Sequence, residues 1–129
     1  MKFTEAVKTV LAKYATFSGR ATRPEYWYFQ LFCLAANFAL VLVCMTAGAV
    51  SGGMDGATDG YDIGSTLSSI FGLAMLIPSI AVGVRRLHDT GRSGWNLLWG
   101  LLPIVGTIIL LVFFISESKG DNQYGKREA

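Results

Sequence analysis

Three windows of this chain carry no charged side chain: Tyr26 to Val50, Ile63 to Val84 and Ser93 to Ser116. A bilayer-spanning helix needs about 20 mostly apolar residues, and each window is long enough. Buried helices of a soluble bundle fit this length poorly, and a chain of 129 residues has no need of three such runs for a soluble core. Charged residues make up 16% of the chain, against roughly 25% in soluble proteins. The expected fold is an all-α membrane protein of one domain. An N-terminal amphipathic interfacial helix over residues 1–17 precedes a three-helix transmembrane bundle. The expected spans are 26–50, 63–84 and 95–115, and a polar tail occupies 116–129.

The charges that remain suggest an orientation. Lys2, Lys8, Lys13, Arg20 and Arg23 precede the first window, and Arg85, Arg86 and Arg92 follow the second. The first loop carries Asp55, Asp59 and Asp62 with no base, and the tail carries Lys119, Lys126 and Arg127. The positive-inside rule then favours a cytoplasmic N-terminus, and three spans would put the tail outside. The net charge of +2 is too small to argue for a nucleic-acid partner.

Local patterns fill in this outline. Phe3, Val7, Val10, Tyr14 and Phe17 recur at three- and four-residue steps, and Lys2, Glu5, Lys8 and Lys13 avoid that stripe. Such a helix suits the headgroup layer; packing on the cytoplasmic end of the bundle is the alternative. Ser18-Gly19 ends it, and Pro24 and Glu25 suit the first turn of the next helix. Tyr26, Trp27 and Tyr28, with Trp95 and Trp99, read as interface anchors. Gly48, Gly52, Gly56, Gly60 and Gly64 fall every four residues, the spacing of a packing face. Because most of them lie among three aspartates, a flexible exterior loop is expected over Ser51 to Asp62. Asn37 is placed to hydrogen-bond across helices. Pro78 should kink the second span, and Ser79 and Gly83 form a small-residue pair on it. Pro103 and Gly106 interrupt the third, most simply as a kink, with a re-entrant break as the other reading.

Cys33 and Cys44 sit eleven residues apart in the first span, about 16 Å along a helix, too far for a disulfide. Ala47-Gly48-Ala49 resembles a cleavage site, but the apolar run before it is too long for a signal peptide. The three aspartates lack EF-hand spacing, no phosphate-cradling glycine motif is present, and a single His without nearby Cys offers no zinc spacing. No metal or cofactor is implied.

The candidate functional groups are gathered in one hinge, Arg85-Arg86-Leu87-His88-Asp89-Thr90-Gly91-Arg92-Ser93-Gly94-Trp95. The first span starts and the second ends on one membrane side, so Arg20, Arg23 and Glu25 should share a surface with Arg85, Arg86, His88, Asp89 and Arg92. Glu25 is expected to pair with Arg85 or Arg86. Asp89 to Gly94 should form a turn, with glycine supplying a positive φ. Two readings of the cluster compete. In one the arginines serve topology alone; in the other they bind anionic lipid headgroups, since the planar guanidinium fork suits phosphate. His88 beside Asp89 invites a catalytic guess, but adjacency does not make an acid–base pair and no nucleophile is marked.

The leading functional reading is a non-enzymatic membrane component that binds anionic phospholipid or a membrane protein partner through this hinge. A subunit of a homo-oligomeric transporter or channel, and a lipid-headgroup enzyme using His88 and Asp89, are the alternatives.

Three ordered motifs carry a family resemblance. Phe17-Ser18-Gly19-Arg20, Arg23 and Glu25-Tyr26-Trp27 form the first, and Arg85 to Asp89 with Arg92 to Trp95 the second. Pro103, Gly106 and the tail Gly120-Asp121-Asn122-Gln123-Tyr124-Gly125 complete the pattern. Over nearly its whole length the chain resembles the domain-of-unknown-function 805 family of small bacterial inner membrane proteins. It departs from that pattern at Pro24, where a basic or polar residue is commoner, and in its Gly/Asp loop. The resemblance implies a multi-pass protein of the bacterial cytoplasmic membrane and brings no activity, substrate or catalytic residue.

Overall fold

The computed structural model describes residues 2–127. Those residues are helical or irregular apart from one isolated bridge between Asn122 and Gly125. Helix α1 is Phe3–Ala12 and α2 is Arg23–Asp89. A 3-10 helix follows at Gly94–Leu101, and α3 is Val105–Ile115. The chain divides into two compact units. One is Gln30–Leu76, and the other joins the segment ending at Phe29 with the segment starting at Ile77.

In the unit Gln30–Leu76, α2 is two arms rather than one rod. Gly53, at φ 64° and ψ −140°, breaks the helical path in a conformation that glycine reaches without a Cβ clash. The arms then meet through glycines. A Cβ on Gly48 or Gly56 would run into the other's carbonyl, and one on Gly60 would meet the carbonyl of Cys44. A Cβ on Gly64 would stand 2.9 Å from the Cα of Val41. Such close backbone approach is what small residues bring to helix pairing in lipid. It offsets the cost of about 1 kcal/mol that each glycine imposes on a helix. Ser68 Oγ donates to Asn37 Oδ1 at 2.7 Å, the cross-helix bond expected of Asn37.

The stretch Ser51 to Asp62 is therefore not the flexible loop its composition suggested. Its residues are helical except at the Gly53 break. The four-residue glycine period makes a face without side chains; Asp55, Asp59 and Asp62 are exposed, and Asp59 lines the groove beside Gly56 and Gly60. Gly60→Leu is expected to force the arms apart and to lower stability by about 1–3 kcal/mol, the usual cost of overpacking. Reversible unfolding in mixed micelles measures this, with an exposed-face change such as Thr58→Ala as the reference.

The arms turn apolar side chains outward. Leu34, Phe38 and Leu73 are each more than two-thirds exposed, and the most apolar stretch of α2 has no buried residue. Among the described residues α2 is the one helix long and apolar enough to cross a membrane. A polar Asn–Ser pair between the arms and leucine and phenylalanine outside is the pattern a hydrocarbon solvent selects.

The other unit contains the two chain ends. Helix α1 is shorter than the expected 1–17: Lys13 closes it, its N–H bonding to Thr9 O at 3.0 Å. Ala6 and Val10 are fully buried, while Phe3, Tyr14 and Phe17 remain about two-fifths exposed. One edge of α1 thus packs on the protein, and Phe3 within it and Tyr14 and Phe17 beyond it stay partly open. Phe3 meets Tyr28 edge-on, centroids 5.8 Å apart.

The third apolar window is not one continuous helix but two short ones, and the expected three-helix layout is not confirmed. The 3-10 helix ends at Leu101, the backbone turns through Leu102, Pro103 and Ile104, and α3 runs for only 11 residues, about 16 Å. Pro103 has no N–H with which to continue a helix. Gly106 makes the return possible, because a Cβ there would collide with the carbonyl of Trp99. Gly100 likewise sits under Leu110, whose Cδ1 would lie 3.3 Å from an added Cβ. The two legs fold back on each other. The chain leaving α3 arrives at the hinge from which it departed: Lys119 N donates to Asp89 O at 2.9 Å. The tail and the hinge share one end of this unit, whereas a third span would have carried them to opposite membrane faces.

Candidate functional site

The last turn of α2 carries Arg85, Arg86, His88 and Asp89. Thr90 closes the helix and Gly91 reverses the chain at φ 78°. Arg92 N bonds back to Leu87 O at 2.8 Å and Gly91 N to His88 O at 3.0 Å, the paired bonds of a glycine helix terminus. The expected turn is thus present with its glycine in the left-handed region. The start of α2 lies alongside. Thr22 caps it by accepting from Glu25 N at 3.4 Å, Pro24 occupies the first turn, and Ala21 N donates to Arg85 O at 3.0 Å.

Asp89 is fully buried and sits at the centre. Its Oδ1 accepts from Arg20 Nε at 2.9 Å. Its Oδ2 accepts from Arg86 Nη1 at 2.6 Å and from the Ser118 hydroxyl. Arg20 commits every N–H it has. Beyond Asp89 Oδ1, its Nη1 donates to Gly120 O at 2.9 Å and Gly125 O at 3.1 Å, and its Nη2 to Asp89 O at 3.0 Å and to Lys119 O. Arg86 donates from Nε to Phe114 O at 3.0 Å and from Nη2 to Ser116 O. Burial pushes the Arg86 guanidinium below the usual arginine value; Asp89 opposes this, and Arg23, Arg20 and Arg92 add to it. Arginine remains charged through such shifts.

The expected partner of Glu25 is Arg85. Arg85 Nη1 stands 3.0 Å from Glu25 Oε1, with both side chains buried, and Arg85 Nε donates to Thr16 O at 3.2 Å. His88 Nδ1 lies 2.9 Å from Gly19 O, and its ring stacks on Tyr124 with centroids 3.9 Å apart. Asn122 Nδ2 donates to His88 O at 3.1 Å. The histidine is held by the Gly19 turn and the tail, and both Asp89 carboxylate oxygens are taken by Arg20, Arg86 and Ser118.

Arg23 and Arg92 lie differently. Arg23 is exposed and makes one long bond, from Nη1 to Ile115 O at 3.5 Å. Arg92 is half-buried, its guanidinium 4.1 Å from the centre of the Phe113 ring. Together with Arg86 they gather cationic groups around the C-terminal end of α3, where carbonyls lack helical partners and the helix dipole is negative. The expected anchors divide in the same way. Tyr26 is buried against Phe114, with ring centroids 4.4 Å apart, and Trp27 Nε1 donates to Phe114 O at 3.2 Å. Tyr28, Trp95 and Trp99 remain at the surface.

All eight candidate site residues gather in this unit. The tail was missed as a participant. Ser118, the carbonyls of Lys119, Gly120 and Gly125, and the Tyr124 ring complete the network. The turn that places them is closed by Asn122 N to Gly125 O at 3.0 Å and Gly125 N to Asn122 O at 3.1 Å. The two glycines of Gly120-Asp121-Asn122-Gln123-Tyr124-Gly125 were the available signal, because a chain that offers its carbonyls to one guanidinium has to bend tightly around it.

Comparison with known proteins places this arrangement in a group. Residues 14–126 match the family described as Protein of unknown function (DUF805). The chain is 38% identical over 119 residues to the inner membrane protein YhaI of Escherichia coli K12, covering 91% of this chain and 89% of that one. It is 38% identical over 117 residues to the inner membrane protein YhaH of the same strain, covering 90% and 89%. The uncharacterised protein YiiR of that strain is 30% identical over 138 residues, covering 86% and 84%. No solved structure matches the chain.

Proposed function

The chain belongs to the DUF805 family, and from that premise we propose that it is an integral protein of the bacterial inner membrane. In this reading its N-terminus and arginine knot face the cytoplasm, and it acts without catalysis, by holding anionic phospholipid headgroups at the rim of the knot. One observation carries the reading: the arginines are of two kinds. Arg20, Arg85 and Arg86 are buried and donate to the protein itself, so they hold the fold together. Arg23 and Arg92 are at least partly accessible and flank the same helix end. Two arginine forks at one helix end suit a phosphate at the membrane surface. The saturation of Asp89 by Arg20, Arg86 and Ser118 favours this over an acid–base role for His88 and Asp89.

The test is native mass spectrometry of protein extracted in mild detergent. Arg23→Ala/Arg92→Ala is expected to retain several-fold less phosphatidylglycerol than the wild type while unfolding at a similar temperature. Unchanged retention would remove the rim as a headgroup site. Arg85→Ala/Arg86→Ala is uninformative here, because it dismantles the fold along with any site.

A further inference from the structure

We propose that residues 94–115 form a re-entrant hairpin embedded in a single leaflet, the one on the side of the arginine knot. The occupant of its apolar surface is then the acyl-chain layer of that leaflet. This rests on the membrane reading above and is independent of whether Arg23 and Arg92 bind headgroups.

Length is the first argument. The 3-10 helix has 8 residues, about 16 Å at 2.0 Å per residue. Helix α3 has 11, about 16 Å at 1.5 Å per residue. The hydrocarbon core is about 30 Å thick, so both legs reach its middle and neither crosses it. An apolar helix this short belongs to the re-entrant or interfacial class.

Polarity is the second. Both feet of the hairpin are polar and tied to the knot. One begins at Arg92 and Ser93. The other ends at Ile115 and Ser116, whose carbonyls accept from Arg23 and Arg86. Trp95, 79% exposed, stands at the first foot, the level at which indoles favour a membrane interface. The far end is apolar and open, with Leu101 79% and Ile104 74% exposed. No charge lies between Arg92 and Glu117.

Backbone satisfaction is the third. Non-helical backbone persists at membrane depth only where its polar groups find partners within the protein. At this tip Pro103 has no N–H to satisfy, Leu102 N donates to Trp99 O at 3.0 Å, and Ile108 N donates to Ile104 O at 3.1 Å. Thr107 Oγ1 donates to Pro103 O at 2.9 Å. A hairpin built this way takes up area in one leaflet and none in the other.

The experiment uses full-length protein in vesicles of phosphatidylethanolamine and phosphatidylglycerol. Single cysteines are introduced at Ser18→Cys, Ile104→Cys and Glu117→Cys in a Cys33→Ala/Cys44→Ala background and spin-labelled. All three labelled positions are exposed, so the label displaces no packed side chain. The expected result is a label at 104 near the bilayer middle. Its ratio of oxygen to water-soluble nickel collisions should be several-fold above that at 117, and 117 should be reduced by an impermeant reagent from the same face as 18. A label at 104 with the collision ratio of an interfacial site would overturn the proposal in favour of a hairpin lying on the surface. Opposite sidedness of 18 and 117 would overturn it in favour of a full crossing. Repeating the depth measurement in phosphatidylcholine separates the two readings: headgroup binding can fail there while the depth at 104 stays unchanged.

Discussion

Asp89→Ala is expected to lower the stability of this protein by about 3–5 kcal/mol, the range for removing one partner of a buried ion pair. The size follows from what is left behind. Arg20 and Arg86 both direct N–H groups at the Asp89 carboxylate, and all three side chains are buried. Without it two guanidiniums face one another in a poorly solvated site. The Ser118 hydroxyl also loses its acceptor, a smaller contribution of about 1 kcal/mol. Asp89→Asn preserves shape and one acceptor but not the charge, and should fall between. Unfolding by denaturant in mixed micelles reads the series. The comparison is Glu117→Ala, which breaks a 3.8 Å contact to Arg127 at the surface and should change stability by about 0–1 kcal/mol. Equal effects for the buried and the exposed carboxylate would mean that the knot does not hold this unit together.

The pair Glu25–Arg85 was legible in the sequence because it follows from helix direction alone. Two charge-free windows suggested a chain that leaves one membrane face and returns to it, which would bring its first acid to its last bases. Asn37 was legible for a related reason: an amide in a charge-free window has few partners except across a helix pair. The glycine stripe was half legible. Its period of four was visible, but Asp55, Asp59 and Asp62 between the glycines suggested solvent, and composition does not record that the glycines form a contact face while the aspartates beside it stay exposed. The third window misled for a physical reason. Hydropathy measures how much apolar chain is available, and the same residues in one helix or in two folded legs read alike. Pro103 and Gly106 were the residues that decided between them, the first by refusing a helical bond and the second by leaving room for Trp99 O.

The tail was the least legible part. It has no apolar period, and its bonds to Arg20 and His88 reach across sequence separations of 34 to 105 residues. Backbone carbonyls carry no sequence signature as acceptors, so a segment that acts through them looks like an unattached polar end. The tail carbonyls as partners of Arg20 were missed for the same reason. Arg20 stood among the candidate headgroup residues, and its five donors are spent on Asp89 and three carbonyls of the tail.

Truncation after Ser116 is expected to open Arg20 to solvent, and this is the second large effect. Arg20 would lose the carbonyls of Lys119, Gly120 and Gly125 while keeping Asp89. Water can replace those carbonyls once the tail is gone. The loss from these three bonds should therefore approach that of one charge-assisted bond, about 1.5–3 kcal/mol, rather than their sum, and the tail's contacts to Asp89 and His88 from Ser118, Lys119 N, Asn122 and Tyr124 are lost in addition. Accessibility should change far more, because Arg20 is only 3% exposed with the tail in place. Modification by phenylglyoxal, followed by peptide mass spectrometry, should be slow at Arg20 in the full chain and rapid in the truncated one. Arg85 supplies the internal control, since its contacts run to Thr16 and Glu25 and owe nothing to the tail. Rapid labelling of Arg20 alone would establish that the tail seals the knot. Equal protection with and without it would mean that burial by the Gly19 turn and the end of α2 is enough, and that the tail carbonyls are incidental to it.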